Sequence, residues 1–463
     1  MAMSRPSRTS PPGGQRRATP TPPAVELGVA VLVWLWARWE LLLVPAAFAV
    51  CYPVTVMLAV PVSLAVAWWV WTKRRAAIMW RCHCTRIRKG WAQTATAAGL
   101  CRQGAIPRIT RIDRSAAGTH VALDFGATGL HRKEAVEAAP RLAAIWRASA
   151  VEVILGGTPG TCILAVRTTD LLSWDNGAGP EWPWRNRRAT RSGARPRADR
   201  VPVGLDQEAQ PVRLDLGLSL LVAGASGSGK SSLCQLVIAG LALGGHTLYL
   251  VDPNRTEARA WVPVAERSVL GLGDDLTQLA DLVEEVVEVL DDRTAQLEEL
   301  GLRKAPDSWP RVVVFIDELA AISAAAIAGG KTAQANYQRF SVGISRILRE
   351  GRKVCTVVVA ATQKADQASV GPFRDLFPLR FAGSLPTAQS SDMALGDGYR
   401  EQGFDASALD PARKGIGYLA SDGAPAPQLM RSFCLTDGDI ADIAARCAQA
   451  RTATIEVAPW VTP

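Results

Sequence analysis

A short loop of glycines and serines around one lysine carries the clearest chemical signature of this chain. Between Gly224 and Ser231 the spacing fits the pattern GxxxxGK[ST], and an apolar run precedes it. In such a loop, backbone N–H groups converge on phosphate oxygens, the lysine reaches the β- and γ-phosphates, and the following hydroxyl ligates Mg²⁺. The pattern therefore predicts a site for a nucleoside triphosphate. The predicted nucleotide-binding residues are Gly224, Ala225, Ser226, Gly227, Ser228, Gly229, Lys230, Ser231 and Ser232.

Two adjacent carboxylates supply the second half of such a site. Asp317 and Glu318 follow five apolar residues, 312–316, which are typical of a strand buried on both faces. We expect Asp317 to hold Mg²⁺ through water and Glu318 to polarise the water that attacks the γ-phosphate. The pair therefore predicts hydrolysis of the nucleotide and not binding alone.

A third apolar run places an amide near the same position. Residues 356–361 predict a strand, which Thr362 and Gln363 follow. We expect Gln363 to sense the γ-phosphate, and the alternative is a simple polar cap of the strand.

The segments that must position these side chains alternate between strands and helices. The run 218–223 predicts a strand before the loop, and a helix is expected from about Lys230. Another helix is predicted between the loop and the acidic strand, because apolar residues recur there at helical spacing. This core-facing stripe consists of Leu279, Leu282, Val283, Val286, Val287 and Leu290. Strands that alternate with such helices indicate an α/β fold with a parallel sheet.

The chain is basic and long enough for several domains. It has 463 residues and a formal net charge of +9, which favours an acidic partner or an anionic membrane face. Its nine cysteines are scattered along the sequence. This distribution is typical of a reducing compartment and not of a disulfide framework.

The first part of the sequence predicts a membrane anchor. Residues 1–23 are rich in Pro, Ser and Arg, and we expect them to be disordered. Residues 24–72 are the predicted transmembrane region, because the uncharged run 41–71 exceeds the roughly 20 residues that cross a bilayer. Basic residues on both sides favour two spans with an outer turn at 38–40, and a signal peptide is the less favoured alternative. The expected location is the inner cell membrane, with the ATPase domain in the cytoplasm.

Three segments follow the predicted membrane region. Residues 73–106 form a basic juxtamembrane segment, for which contact with anionic lipid is favoured and contact with nucleic acid stays open. Its Cys82-His83-Cys84 triplet lacks the matching second half of a zinc site, so we predict no metal there. Residues 107–172 predict a small α+β domain with the order β-β-α-β-β. Residues 173–200, rich in Trp, Arg and Pro, predict a linker that is either a solvated loop or a contact for nucleic acid.

Several collinear blocks resemble the FtsK/SpoIIIE family of double-stranded DNA translocases, and more closely the conjugative Tra translocases of mycelial actinobacteria. The blocks are GASGSGKSS at the loop, VDPNRTEARAW from Val251, VVVFIDELA from Val312, GRKVCTVVVAATQKAD from Gly351, RDLFPLRFAGSLPTAQSSDMALGDG from Arg374, and KGIGYLA from Lys414. The resemblance implies that residues 201–442 form an FtsK-like P-loop ATPase domain with a RecA-like core, followed by a tail at 443–463. It also implies a membrane-tethered homo-hexamer that moves double-stranded DNA through its pore with ATP and Mg²⁺.

The same resemblance implies roles for single residues. Lys230, Glu318 and Gln363 are the implied catalytic residues, and Ser231 and Asp317 are the implied Mg²⁺ ligands. An arginine finger from a neighbouring subunit is also implied. Its candidates are Arg346, Arg349, Arg352, Arg374 and Arg380.

Two departures from the family pattern affect what is expected of this chain. The family's DPK is here Asp252-Pro253-Asn254, so a role for that lysine does not carry over. The sequence also ends too soon after Asp442 for the winged-helix domain that gives FtsK-type motors sequence recognition. We therefore expect recruitment of DNA through non-specific phosphate contacts or through another protein.

The sequence thus predicts a membrane-anchored, ATP-dependent DNA translocase for conjugative transfer of a mobile element. A translocase for chromosome segregation or cell division is the alternative within the same class. The alternative from a different class is a membrane scaffold or DNA-binding coupling protein whose ATP site only switches its assembly. The pair of carboxylates after the acidic strand favours the motor.

Overall fold

The computed structural model describes residues 53–126, 128–174, 179–190 and 200–455. The chain divides into two units, Met1–Ala97 and Ala98–Pro463. None of the helices in the described ranges combines the length and the apolar character needed to span a bilayer. The predicted transmembrane region lies outside the described residues up to position 52, so membrane anchoring stays a prediction.

One helix, α1 (Pro53–Ala98), accounts for the described residues of the first unit. Between positions 73 and 112 the sequence has no acidic residue, so the basic side chains of this helix have no carboxylate in their own segment. Those with exposed side chains are Arg74, Arg75, Arg81, Arg86, Arg88 and Lys89. Helix α1 therefore presents an exposed, positively charged surface with no carboxylate in its own segment.

The second unit begins with a small antiparallel sheet of strand order β1-β2-β4-β3. Its elements follow the predicted order β-β-α-β-β: β1 (Arg108–Arg114), β2 (Gly118–Asp124), α2 (Arg132–Trp146), β3 (Ala150–Leu155) and β4 (Thr161–Arg167). Strand β2 alternates between buried and half-buried positions, as expected when one face of a sheet packs on a core. Helix α2 packs against β3 and β4.

A larger sheet follows, with the strand order β6-β5-β14-β13-β12-β7-β11-β10-β8-β9 within the described residues. The run from β12 to β9 is parallel, which confirms the predicted parallel sheet. Four antiparallel strands, which the strand and helix pattern did not predict, extend it beyond β12. The strands are β5 (Arg200–Asp206), β6 (Pro211–Asp215), β7 (Leu220–Ala223), β8 (Thr247–Asp252), β9 (Arg267–Leu270), β10 (Val312–Ile316), β11 (Thr356–Thr362), β12 (Leu379–Gly383), β13 (Ile416–Ser421) and β14 (Gln428–Ser432).

Helices cover both faces of this sheet. Strands β10 and β11 are rich in valine and buried along their whole length, as parallel strands are when both faces are packed. The helices are α3 (Lys230–Gly244), α4 (Thr277–Glu299), α5 (Leu319–Ala328), α6 (Lys331–Glu350), α7 (Ala388–Leu395) and α8 (Asp437–Ile455). Short 3-10 helices lie at Arg259–Val264, Gly351–Val354, Arg374–Leu376, Arg400–Gln402 and Ala406–Ala408.

Two apolar cores result, one on each face of the sheet. One contains α3 and α8, and the other contains α4 and α6. The predicted stripe of α4 lies in the second core, with Val287 only partly buried and the remaining members fully buried. The helical interpretation of that stripe is confirmed.

Part of the predicted linker contributes to the first core. Trp182 is buried there, and its indole N–H donates to the carbonyl of Pro202 over 2.7 Å. Further along, the Thr190 N–H donates to the carbonyl of Leu243 at the end of α3, over 3.0 Å. Trp182 and Thr190 therefore anchor residues 179–190 to the large sheet, while several side chains between them are exposed.

The predicted domain end at Asp442 falls inside helix α8. Ile443, Ala444 and Cys447 lie on the buried side of this helix and belong to the first core. The helix continues past the predicted boundary because these apolar residues recur at a spacing of one turn and need a surface to pack against.

Candidate nucleotide-binding site

The glycine-rich loop connects β7 to the first turn of α3, as its sequence predicts. Gly227 and Gly229 have φ angles of +80° and +94°, a region that residues with a Cβ rarely adopt. The Ser228 N–H closes a tight turn on the carbonyl of Ala225 over 3.0 Å, and the Gly224 N–H donates to the carbonyl of Thr362 over 3.1 Å. The loop therefore folds back over the ends of β7 and β11, where the first N–H groups of α3 need a partner.

Close packing behind the loop leads to a prediction about its two glycines. A Cβ at position 229 would lie 2.3 Å from the backbone nitrogen of Gly415, whereas one at position 227 would meet nothing within 4 Å. Both alanine variants carry the cost of positive φ, about 1 kcal/mol each. We expect Gly229→Ala to lower the free energy of unfolding by about 1–3 kcal/mol more than the matched control Gly227→Ala, because backbone atoms must move. Chemical denaturation of both variants measures this difference, and equal losses would contradict the packing argument.

The lysine of the loop lies against the acidic strand. Lys230 is only 6% exposed, and its Nζ is 3.3 Å from the main-chain oxygen of Asp317 and 3.7 Å from Oδ1 of the same residue. Strands β7 and β10 flank β11 and run parallel, so their carboxyl ends meet at one edge of the sheet. This sheet order brings together two residues that are 87 positions apart.

Negative charge exceeds positive charge around this lysine. Burial opposes the charged form of Lys230, but nearby acidic groups, Asp317 and Glu318 among them, outweigh burial and raise the pKa of Lys230 above its usual value. Burial also raises the pKa of Asp317 to about 6, with Lys230 opposing the shift and Asp252, Glu257 and Glu318 adding to it. A cation bound beside Asp317 would balance the negative charge of these neighbouring carboxylates.

The residues present fit a Mg²⁺ ion that is shared with phosphate oxygens. Oδ1 of Asp317 is buried and accepts no hydrogen bond from the described residues, so it has lone pairs available for a metal ion. In the described part of the chain, no three His, Cys, Asp or Glu side chains form a metal-binding group by themselves. Mg²⁺ is commonly bound by one or two carboxylates with phosphates and water, which is the arrangement that Ser231 and Asp317 would offer.

Glu318 is the N-cap residue of helix α5, and hydrogen bonds from two segments hold its carboxylate. Its Oε1 accepts hydrogen bonds from the Ala320 N–H over 3.3 Å, from the Thr362 hydroxyl over 2.9 Å, and from the Gln363 N–H over 3.0 Å. The carboxylate is buried at the end of β10, beside the end of β11. The predicted γ-phosphate sensor therefore contacts Glu318 through its backbone, while the Gln363 side chain is exposed.

A second network beside the loop includes residues to which the sequence assigns no role. Gln235, one turn after Ser231 on α3, donates from Nε2 to the main-chain oxygen of Glu257 over 2.7 Å. Its Oε1 accepts a 2.6 Å hydrogen bond from the buried indole of Trp261. Glu257 and Trp261 both lie in the VDPNRTEARAW block, which is part of the family resemblance. The polar spacing within the block did not indicate their contact with α3.

The five arginine candidates differ in how they are engaged within their own chain. Arg346 pairs with Asp291 and Glu350, and Arg374 pairs with Asp375 and Asp397. Arg380, largely buried, lies 3.7 Å from Asp422. In contrast, Arg349 and Arg352 are exposed and form no hydrogen bond or ion pair with the described residues.

The chain is similar in sequence to a curated protein and in fold to a solved structure. Over 252 residues it is 30% identical to Protein Tra of Streptomyces lividans, and this alignment covers 52% of the chain and 40% of that protein. The chain thus spans well under half of the length of this curated relative. Among solved structures it resembles the pCW3 conjugation coupling protein TcpA, in its monomer form with ATPγS. That likeness has a TM-score of 0.50 and 17% identity, and covers 79% of this chain and 99% of the other.

One further solved structure and one family model also match the chain. The cytoplasmic domain of the Thermomonospora curvata Type VII secretion ATPase EccC matches with a TM-score of 0.43 and 20% identity, over 60% of this chain and 33% of that one. The FtsK/SpoIIIE family model matches residues 181–308, which contain the glycine-rich loop and helix α4. This match and the similarity to Protein Tra confirm the resemblance of the chain to the FtsK/SpoIIIE family that its sequence blocks predict.

Proposed function

We propose that this chain is a membrane-anchored, ATP- and Mg²⁺-dependent translocase of double-stranded DNA that serves conjugative transfer. The observation that carries the ATPase part is the placement of Lys230 beside Asp317, with Glu318 held next to them at the ends of β10 and β11. Similarity to Protein Tra, and the fold shared with a conjugation coupling protein, support DNA transfer. The predicted anchor supports the membrane location.

The proposed chemistry uses the loop to bind phosphates and the acidic strand to direct water. The N–H groups at the start of α3 and the ammonium of Lys230 would neutralise charge that develops on the transferred phosphoryl group. Bound Mg²⁺, held by Ser231 and Asp317, would supply electrostatic stabilisation of the phosphate oxygens. Glu318 would orient the attacking water, and its bonds to Thr362 and Gln363 restrict where its carboxylate points.

Turnover stimulated by DNA is the direct test of this function. The full-length chain in detergent is assayed for ATP hydrolysis with and without double-stranded DNA of mixed sequence. A translocase should hydrolyse ATP several-fold faster with the duplex, whereas an assembly switch should be indifferent to it. Turnover that DNA leaves unchanged would contradict the motor, and absence of ATP binding would contradict the whole proposal.

Binding to DNA is expected to be independent of sequence and strongly dependent on salt. The exposed basic side chains of α1 would contact phosphates, and about six such contacts cost roughly 10³-fold in affinity between 50 and 200 mM salt. Replacing Arg81, Arg86 and Arg88 by glutamine should reduce the slope of log affinity against log salt by about 0.9 for each phosphate that the variant no longer neutralises.

The control for this measurement is Arg400→Gln. Arg400 is also exposed, but it already pairs with Asp392 over 3.1 Å, so the slope should stay unchanged. Fluorescence anisotropy with labelled duplexes measures both variants. A single preferred site whose occupancy survives high salt would contradict binding through phosphates.

A further inference from the structure

The back of the phosphate-binding loop rests on a short segment at the start of β13. The N–H of Gly415 donates to the carbonyl of Ser228 over 2.8 Å. Gly229 packs so closely on Gly415 that no Cβ fits between them. The path of the loop therefore depends on where Lys414 and Gly415 lie.

One buried arginine holds this segment. Arg431, on β14, is 4% exposed and donates from Nε to the carbonyl of Lys414 over 3.0 Å. The next residue, Ser432, donates its N–H to the carbonyl of Gly415 over 2.9 Å. Ladder pairing of Ile416 with Arg431 fixes the register between the two strands. Movement of Arg431 would thus be transmitted to the loop.

The same guanidinium binds the segment that leaves the small sheet. It donates from Nη1 to the carbonyl of Leu172 over 2.8 Å and to that of Trp174 over 2.6 Å. Its centre also lies 4.6 Å from the centroid of the Trp174 ring. Leu172 is buried, five residues after β4 ends at Arg167. Because a guanidinium is planar and its donors have fixed directions, it cannot follow one set of carbonyls without disturbing the other.

We propose that Arg431 is a positioning residue that couples the phosphate-binding loop to residues 170–174, so that nucleotide binding and the packing of this segment stabilise each other. The inference rests on the proposed binding of ATP at the loop. Coupling between two sites is reciprocal, so a displacement of the small sheet that pulls on Leu172 and Trp174 would weaken nucleotide binding. The small α+β domain would then report on the nucleotide, or regulate its binding.

Hydrogen exchange on the unmodified protein gives the first test. The full chain in detergent is compared with and without ATPγS, whose binding is measured separately by calorimetry. The peptide that contains residues 170–174 should exchange several-fold more slowly with ATPγS, as should the loop peptide. Slower exchange of the loop alone would overturn the coupling while leaving ATP binding intact. Failure of ATPγS to bind would contradict the proposed function instead.

Two variants and one control give the second test. Arg431→Lys keeps the charge but loses the fork of donors, and Trp174→Ala removes the stacked ring while Arg431 keeps its bond to Lys414. Each should weaken ATPγS binding, by about tenfold for Arg431→Lys, and abolish the slower exchange at 170–174. Arg400→Gln breaks an exposed ion pair to Asp392 that involves neither segment, and should change neither property.

The outcomes separate positioning from a general structural role. The proposal is supported by a variant that melts at the wild-type temperature but binds ATPγS more weakly. In that variant ATPγS should also no longer slow hydrogen exchange at residues 170–174. Wild-type affinity and wild-type protection in both folded variants would overturn it. If Arg431→Lys fails to fold, Trp174→Ala and the measurement on the unmodified protein decide.

Discussion

Replacing Lys230 by alanine is expected to abolish ATP hydrolysis and to weaken nucleotide binding. The ammonium is buried between the loop and Asp317, so solvent screens its charge only weakly. A hydrogen bond to a charged group contributes about 1.5–3 kcal/mol, so the loss corresponds to roughly a 10- to 100-fold weaker affinity. Calorimetry with ATPγS and a phosphate-release assay measure the two effects. Lys331→Ala, an exposed lysine at the start of α6, is the matched control and should behave like the unmodified protein.

The companion variant Glu318→Gln should separate binding from chemistry. A glutamine keeps an oxygen that can accept from Thr362 and Gln363, so the end of β10 should retain its structure. It loses the negative charge that orients the attacking water, which is worth about 10²- to 10⁴-fold in rate. We therefore expect ATP binding close to normal and turnover near zero. Near-normal turnover in this variant would remove the role assigned to Glu318.

Turnover is also expected to depend on assembly, with an arginine supplied by a neighbouring chain. Lys230, Ser231, Asp317 and Glu318 provide phosphate, metal and water contacts, but no arginine of the same chain contacts this group in the described residues. A finger supplied in trans contributes roughly 10³ to 10⁵ in rate, so a single subunit would lack a large electrostatic term. Specific activity should therefore rise cooperatively with protein concentration. Constant activity per subunit across dilution would argue against a ring.

Sheet geometry favours Arg349 and Arg352 among the five candidates. Both precede the amino end of β11, whereas the site lies at its carboxyl end. Seven residues of strand span about 20 Å, so neither side chain reaches the site of its own chain. Both are also exposed and unpaired within the described residues, and so available to a neighbour.

Alanine variants of these arginines give the sharper experiment. Arg349→Ala or Arg352→Ala should lose turnover and keep ATP binding, whereas Arg346→Ala, which removes an internal ion pair, should retain activity. An inactive arginine variant mixed with Lys230→Ala should recover part of the activity, because each chain lends the other its missing part at some interfaces. If all five arginine variants stay active and mixing recovers nothing, completion in trans is wrong for this protein.

Local sequence determined the parts of the site that depend on neighbours along the chain. The loop is encoded by glycines at fixed spacing, since only they adopt φ of +80° and +94° without strain. The strands at 312–316 and 356–362 are encoded by the apolar runs 312–316 and 357–361, which need burial on both faces. The stripe of α4 follows from helical periodicity in the same way. These features required no knowledge of distant residues.

Tertiary structure alone decided which distant residues meet. The order of strands in the sheet brings Asp317 to Lys230, and the antiparallel strands beyond β12 bring Gly415 behind the loop and Arg431 behind Gly415. The pairing of the loop with the acidic strand is expected from the two motifs together. Periodicity reports which face of a strand is buried but not which strand lies beside it, so the contacts of Gly415 and Arg431 could not be predicted. The same limit applies to the arginines, because their sequence positions do not reveal which are engaged by carboxylates of their own chain. Burial of Trp182 and the continuation of α8 past Asp442 likewise required a partner surface, which only the folded sheet provides.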